Sequence, residues 1–468
     1  MSGKLPAIRD LPAHMSSRRV LCSWQRRFLA VAAAVLLLLP VLDAVTGHGV
    51  PVSALVRAVV VAALAANLVR LLYLLWMSLV AWRVPSGCPV GEPPPDSELP
   101  TYTVLVPLYR EDRIVPRLVE ELAALDYPPD RLQILLLIEA DDHRTLAAAA
   151  NVGPPFEIVV IPADGPQTKP KACNVGLSRA TGELCTIYDA EDRPDPDQLR
   201  RVATAFLAAG PEVVCIQAEL HYWNPHTNWL TAQFTAEYAL RFRLTVHGLE
   251  RLRLPIPLGG TSNHFRARVL AELGGWDPYN VTEDADLGIR IARRGGVIHV
   301  LPSTTNEEAN SRLGNWLRQR SRWCKGHIQT WLVHMRAPRE LWRELGPLRF
   351  AVFHIELGLP LLTSLLNPFL WVLALLFLIQ LGGWAEAIAA PIPVELGLVV
   401  GTSAYLVATI QLAVAARIRG CRRAAAASLT APVYAMLVTV GTYKGLFQLI
   451  HPRRRHYWEH TEHGLVDE

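Results

Sequence analysis

Two kinds of hydrophobic pattern divide the chain. Towards its ends the apolar residues run almost unbroken over the thickness of a bilayer; in the middle they come in short blocks. Residues 28–45 are apolar apart from Asp43 and follow Arg18, Arg19, Arg26 and Arg27, and residues 58–82 form a longer run broken by Asn67 and Arg70. Three more runs cover residues 357–381, 396–416 and 428–450. A helix of about 20 apolar residues crosses the bilayer hydrocarbon, so all five are long enough to span. A cleaved leader is the rival reading of the first run, which starts late and has no small-residue cleavage site close behind it. The basic flank places the N-terminus inside and returns the chain to that side before Arg83. Residues 382–395 carry no Lys or Arg and are expected outside, whereas Arg417, Arg419, Arg422 and Arg423 are expected inside. A fifth full span would put Arg453, Arg454 and Arg455 outside, against the same rule. Residues 428–450, which include Pro432 and Lys444, are therefore expected to lie in the interface or to re-enter, leaving a cytoplasmic tail.

In the middle, apolar blocks at 103–108, 133–138, 158–161, 184–188 and 213–217 alternate with helical patterns at 114–125, 172–180 and 196–208. Unbroken apolar strands separated by helices predict a parallel sheet covered on both faces, an α/β domain. Asp195, Pro196 and Gln198 have the spacing of an N-cap, a first helical position and a capping-box partner. Residues 85–100 are proline-rich and read as a linker. The expected organisation is a cytoplasmic N-terminus with two membrane helices (1–84), the linker (85–100), a cytoplasmic catalytic-type domain (101–345), a C-terminal membrane region with two to three spans (346–450) and a basic cytoplasmic tail (451–468).

Composition agrees with this division. The 468 residues are 51% hydrophobic and 19% charged, against about 25% charge in soluble domains. The seven cysteines form no C-x-x-C pair, which argues against a disulfide framework or a zinc site. The net charge of +4 is too small and too dispersed for a nucleic-acid partner. Of 46 basic residues only Lys4, Lys169, Lys171, Lys325 and Lys444 are lysines, and three of these fall beside the polar motifs described next.

In open α/β sheets ligands gather at the carboxyl ends of strands. Glu139, Asp141 and Asp142 follow one predicted strand, and Asp189, Glu191 and Asp192 another. Carboxylates crowded at strand ends repel one another unless a cation lies between them, and a divalent metal is the obvious one. Glu191 and Asp192 can instead cap a helix; Asp189 has none beside it to cap. The stretch Gln167 to Asn174 sets Lys169, Lys171 and Asn174 just before a helix, an anion site suited to a diphosphate. Glu283, Asp284 and Asp286 cannot all be satisfied cheaply, so at least one is expected to abstract a proton. On a helix, Gln319, Arg322 and Trp323 share one face, with Lys325 close behind: an amide, a guanidinium and an indole on which a sugar can rest.

Asp-x-acid at 189–191, Thr-Glu-Asp at 282–284 and Gln-x-x-Arg-Trp at 319–323, flanked by membrane segments, resemble the processive inverting glycosyltransferases of family 2. Residues 257–265, including Thr261 and His264, residues 276–284 and residues 457–464 look like those of the bacterial cellulose-synthase-like exopolysaccharide synthases. The resemblance covers residues 100–464 and implies an α/β GT-A (Rossmann-like) domain inserted between N- and C-terminal transmembrane helices of a multi-pass inner-membrane protein. It implies a UDP-sugar donor held by Glu139, with Asp141 in reserve, and by Lys169, Lys171, Asn174 and Asp189. It further implies Mg2+ or Mn2+ on Asp189 and Glu191 with Asp192 as rival ligand, Asp284 as base beside Glu283, and an acceptor and diphosphate site at Gln319, Arg322, Trp323, Lys325, Thr261 and His264. The implied product is a β-linked polysaccharide grown on a glycan acceptor and moved across the bilayer, with room for export partners in the envelope. Single-sugar transfer to a lipid such as a polyprenyl phosphate is the alternative, and an inactive secretion scaffold a more distant one.

Overall fold

A computed structural model describes residues 7–8, 11–46, 50–89, 91–378, 394–457, 459, 461 and 462. Its centre is an eight-stranded sheet of β1 (Tyr102–Leu108), β2 (Leu132–Glu139), β3 (Phe156–Ile161), β4 (Leu184–Ile187), β5 (Arg193–Pro194), β6 (Val213–Tyr222), β7 (Asn263–Arg266) and β8 (Val297–Glu307). The order across the sheet is β3-β2-β1-β4-β7-β6-β8-β5. β1 to β4 are mutually parallel where they pair, β7 runs antiparallel between β4 and β6, and β8 lies parallel to β6.

The predicted strands are present. The last runs on to Tyr222, and β7 and β8 lie in a stretch where no strand is predicted. Alternate residues of β1 and β2 feed two cores: Leu105, Leu135 and Leu137 pack on one face, Val104, Val106, Ile134, Leu136 and Ile138 on the other. Both faces are dry, as unbroken apolar strands require, and each aliphatic side chain so buried stabilises by about 1.5–3 kcal/mol.

The predicted helices appear as Val115–Ala123, Lys169–Arg179 and Gln198–Ala208. The capping expectation is corrected. Asp197, not Asp195, is the N-cap, and its side chain makes no capping hydrogen bond. Asp195 accepts from Ser303 Oγ at 3.0 Å and from the Thr304 N–H at 2.7 Å, while Gln198 Nε2 donates to Ser303 and Thr305. Strand β8, remote in sequence, takes the groups that a local window assigns to the helix end.

Four described stretches are long and apolar enough to cross a membrane: Arg57–Arg83, Pro338–Val372, Val399–Ile418 and Arg422–Ile450. The first apolar run forms the helix Ser23–Thr46, and most of residues 382–395 lie outside the described residues. The third predicted run is preceded by a kink at Gly346 (φ 71°), before Pro347. Asn67 Nδ2 donates to Asn367 Oδ1 at 2.9 Å and so joins two of these helices. These long apolar helices are anchored on the sheet domain. A Cβ on Gly248 would stand 2.5 Å from the Met77 carbonyl oxygen, so glycine alone allows that approach, and Arg419 pairs with the buried Glu219. The last helix, Ala431–Ile450, packs on Leu313–His334: Arg320 donates to Tyr434 Oη at 2.9 Å near one end, and a Cβ on Gly445 would stand 2.6 Å from the Ser321 carbonyl oxygen further along.

Candidate active site

A cavity of about 530 Å³ opens at the carboxyl ends of β1, β2 and β4 and continues between the membrane helices. At its sheet end, Asp189 follows β4 and meets Lys169, the first residue of its helix. The lysine Nζ lies 2.7 Å from Asp189 Oδ2 and 2.5 Å from Oδ1, and 2.9 Å from the Gly260 carbonyl. Burial opposes the Lys169 charge, but Asp189 and Glu283 outweigh it and raise its pKa. Glu191 lines the cavity beside Asp189. Asp192 folds back: its Oδ2 accepts from the Asp189 N–H at 2.6 Å and from Thr261 Oγ1, while its Oδ1 is buried without a partner.

The wall carries a surplus of carboxyl groups. Glu111, just after β1, is pushed up to about 8 by burial and by the charges of Glu191 and Asp189. Burial, then Asp192, Glu191 and Asp189, drives Glu307 well above the usual carboxylate range. Glu139 is raised to about 6, chiefly by burial, with Lys171 opposing. Such a surplus fits a cation. Among the described residues no three His, Cys, Asp or Glu side chains close around one point; Asp189 and Glu191 are the neighbouring cavity carboxylates at the end of β4, and an ion on two such ligands completes its shell with water and phosphate, as Mg2+ commonly does.

The helix Glu283–Arg293 begins at the cavity, next to Leu313–His334. Gly326 permits that contact, since a Cβ there would stand 2.4 Å from Thr282 Oγ1. Asp284 Oδ1 accepts from the Ala285 N–H at 2.7 Å. Its other oxygen faces Gly260, where a Cβ would lie 3.5 Å from Asp284 Oδ2 and 3.9 Å from Lys169 Nζ. Burial raises both Glu283 and Asp284; the Asp284 charge lifts Glu283 further, while Lys169 and Arg322 pull Asp284 back. The pair therefore shares one proton near neutrality, with Asp284 the more readily ionised of the two. Asp286 turns away into the core, 2.7 Å from Arg290 and 3.0 Å from His334.

Gln319, Arg322 and Trp323 all reach the cavity, as their spacing predicts. Trp323 stacks on Tyr238 with ring centres 6.2 Å apart and planes at 24°. Behind it Arg320 lies over the Trp316 and Trp323 rings and grips both oxygens of Glu237. Glu139, Lys169, Asp189, Glu191, Thr261, Glu283 and Asp284 complete the set of predicted residues brought together.

Six predicted residues do not line the cavity. His264 is a core residue, Nδ1 2.6 Å from Tyr102 Oη, held neutral by burial that lowers its pKa to about 3. Asp192 has turned inward as described. Asp141 accepts from Gln167 at the surface. Lys171 Nζ donates to the carbonyls of Pro162 and Asp164. Asn174 braces Trp276, donating to its carbonyl at 2.8 Å and accepting from its N–H at 2.9 Å. Lys325 is buried against the tail, 2.7 Å from the Tyr457 carbonyl. Residues two apart on a helix point about 200° from each other, so Lys169 excludes Lys171 from the cavity, and Trp323 excludes Lys325. Conversely, the cavity includes Glu111, Tyr238 and Glu307, which no motif singles out, and Gly260 and Thr461, which lie within motifs but were given no role. Glu111 follows β1 as Glu139 ends β2, so the strand-end rule extends to it. Thr461 arrives with the tail, which Asn315, Ser321 and Lys325 hold against Leu313–His334.

Residues 100–326 match the family described as glycosyltransferase like family 2. The chain is 27% identical over 276 residues to a beta-monoglucosyldiacylglycerol synthase of Synechocystis sp., covering 56% of each chain. It is 24% identical over 268 residues to the UDP-forming cellulose synthase catalytic subunit of Komagataeibacter sucrofermentans, covering 56% of this chain and 35% of that one. The chain spans about half the length of the curated relatives it matches. Its fold is similar to that of a mannosyltransferase from Pyrobaculum calidifontis solved in complex with GDP-Man and Mn2+, with a TM-score of 0.53, 19% identity, and coverage of 83% of this chain and 99% of the other. The mixed sheet and this structural match give the domain that holds residues 100–326, the stretch similar to the family 2 glycosyltransferases, a GT-A-like Rossmann-type fold.

Proposed function

We propose that the protein transfers sugar units from a nucleotide-sugar donor, UDP-linked, with inversion, onto a growing β-linked glycan and passes the product between its own membrane helices. The observation that carries this reading is the continuity of the cavity. It joins Lys169, Asp189 and Asp284 to Arg70, Tyr73, Ser364 and Thr442 on the helices beyond. Polar groups within membrane helices rarely face lipid, and hydroxyls with guanidinium suit a carbohydrate passage. Arg70 belongs to that passage; Asn67 serves helix packing.

Asp284 takes the proton of an acceptor hydroxyl, whose oxygen bonds to the anomeric carbon from the face opposite the diphosphate. The bond from that carbon to the phosphate oxygen breaks, and the nucleoside diphosphate leaves with the electron pair. Lys169 and Arg322 meet the charge it develops. Trp323, backed by Tyr238, holds the acceptor's terminal sugar in place. Asp189 and Glu191 would hold a Mg2+ or Mn2+ ion, which would supply further neutralisation of the diphosphate.

Both the Arg419–Glu219 pair and the tail lie against the sheet domain, which supports a catalytic domain, basic loop and tail on the cytoplasmic side of the inner membrane. A second reading, transfer of one sugar to a membrane lipid, is favoured by the apolar half of the same passage at Leu74, Leu357, Leu361 and Val438. The donor part of the proposal is tested by nucleotide release from a panel of UDP- and GDP-sugars with Mg2+ or Mn2+ and with EDTA. Turnover of one UDP-sugar, lost in EDTA, is expected; release from none of the panel contradicts it.

A further inference from the structure

Glu307 ends β8, the strand that the sequence pattern does not reveal, and its backbone carbonyl accepts from the Trp223 N–H at 3.1 Å. Its side chain enters the cavity with Oε1 sealed from solvent and without a hydrogen-bond donor among the described residues. A buried acceptor left unsatisfied costs about 1–3 kcal/mol, a burden that a substrate hydroxyl removes. The charged and titratable groups facing it are Asp189, Glu191 and Asp192 from the β4 end, Lys169 from its helix, and Tyr222 and Tyr238 from β6 and the helix behind it. Tyr238 is the ring on which Trp323 stacks. Glu307 thus stands where the metal-type carboxylates meet the aromatic platform. The oxygens of a diphosphate carry no proton to donate to that acceptor; a sugar lying on the platform presents hydroxyl donors there.

We propose that Glu307 is a specificity residue that accepts hydrogen bonds from hydroxyls of the acceptor sugar resting on Trp323 and Tyr238. The inference rests on the acceptor reading of this cavity and extends it to a residue outside every motif. A carboxylate gripping two adjacent hydroxyls distinguishes sugars by the orientation of that pair, since a site built to bind a hydroxyl rejects an analogue that lacks or misdirects it.

The test uses the full-length protein in detergent, with tryptophan fluorescence titrations of UDP plus Mg2+ and, separately, of cellotetraose, mannotetraose and chitotetraose. Wild type is expected to bind nucleotide and at least one tetrasaccharide. Glu307→Gln, which puts an NH2 donor in place of one acceptor oxygen, is expected to weaken that tetrasaccharide by about tenfold, and Glu307→Ala by more, both keeping nucleotide affinity within about twofold. Thermal melting confirms that both variants fold; if Glu307→Ala does not, the near-isosteric Glu307→Gln carries the comparison. Unchanged tetrasaccharide binding in Glu307→Gln, or a loss of Mg2+-dependent nucleotide binding instead, overturns the role of Glu307 alone. Binding of nucleotide but of none of the tetrasaccharides by the wild type overturns the acceptor reading with it.

Discussion

Asp284 and Lys169 face the same glycine, Gly260, and their chemistry sets the sharpest expectations. A positioned base contributes about 10²- to 10⁴-fold, so Asp284→Asn should lose at least ~2.7 kcal/mol of transition-state stabilisation while still binding nucleotide, as single-turnover rates and nucleotide titration will show. Burial raises the Asp284 carboxyl to about 6. A base works unprotonated, so the rate should fall as pH drops through that value and level off above it; a rate flat across this range speaks against Asp284. Replacing Lys169 by Met removes a fixed charge at the leaving group and should slow turnover by about 10²- to 10³-fold. Lys171→Met, outside the cavity, should stay within about threefold, the effect expected of a surface position; equal losses in both would refute the assignment. The acidic and Gln-x-x-Arg-Trp motifs were legible because a strand end and a helix face are local properties. The choice between Lys169 and Lys171 was not, because helix phase against the sheet decides it, and His264 was misjudged because its partner Tyr102 lies on another strand.

The helix Leu313–His334 joins the domain to the membrane region. One face presents Gln319, Arg322 and Trp323 to the cavity, and another packs on Ala431–Ile450. Arg320 is buried among aromatic rings and paired to Glu237. Glu237→Ala would leave that guanidinium unpaired, and about 3–5 kcal/mol of stability should be lost, read from denaturant unfolding. A midpoint unchanged from wild type would show that the pair carries no such weight. Ala431–Ile450 keeps Val433, Met436, Val440, Phe447 and Ile450 exposed as an apolar stripe opposite the face that meets the domain. That arrangement suits a helix lying along the membrane surface, with the tail beside the domain. An epitope tag after the last residue should therefore resist external protease in spheroplasts and yield only when the membrane is opened; digestion in intact spheroplasts would place the tail outside. The apolar run at 428–450 marked the last helix from composition alone. The pairing of the last helix with Leu313–His334 was not legible, since Lys444 meets a partner, Glu459, that belongs to the folded tail.

At the scale of the whole molecule, the cavity connects the acidic strand ends of the sheet to a passage among the long apolar helices. The division into apolar ends and an α/β middle could be read directly from the hydrophobic pattern. The passage could not, because Arg70, Ser364 and Thr442 come from three distant segments and converge only in the fold. The central claim is repeated transfer onto a glycan that leaves through this passage. Sizing the labelled products of the purified protein, supplied with the nucleotide sugar it turns over and a divalent cation, tests that claim most directly. The account predicts a long water-borne polymer that is absent with Asp284→Asn; label confined to a lipid carrying a single sugar, or to free sugar, would contradict it.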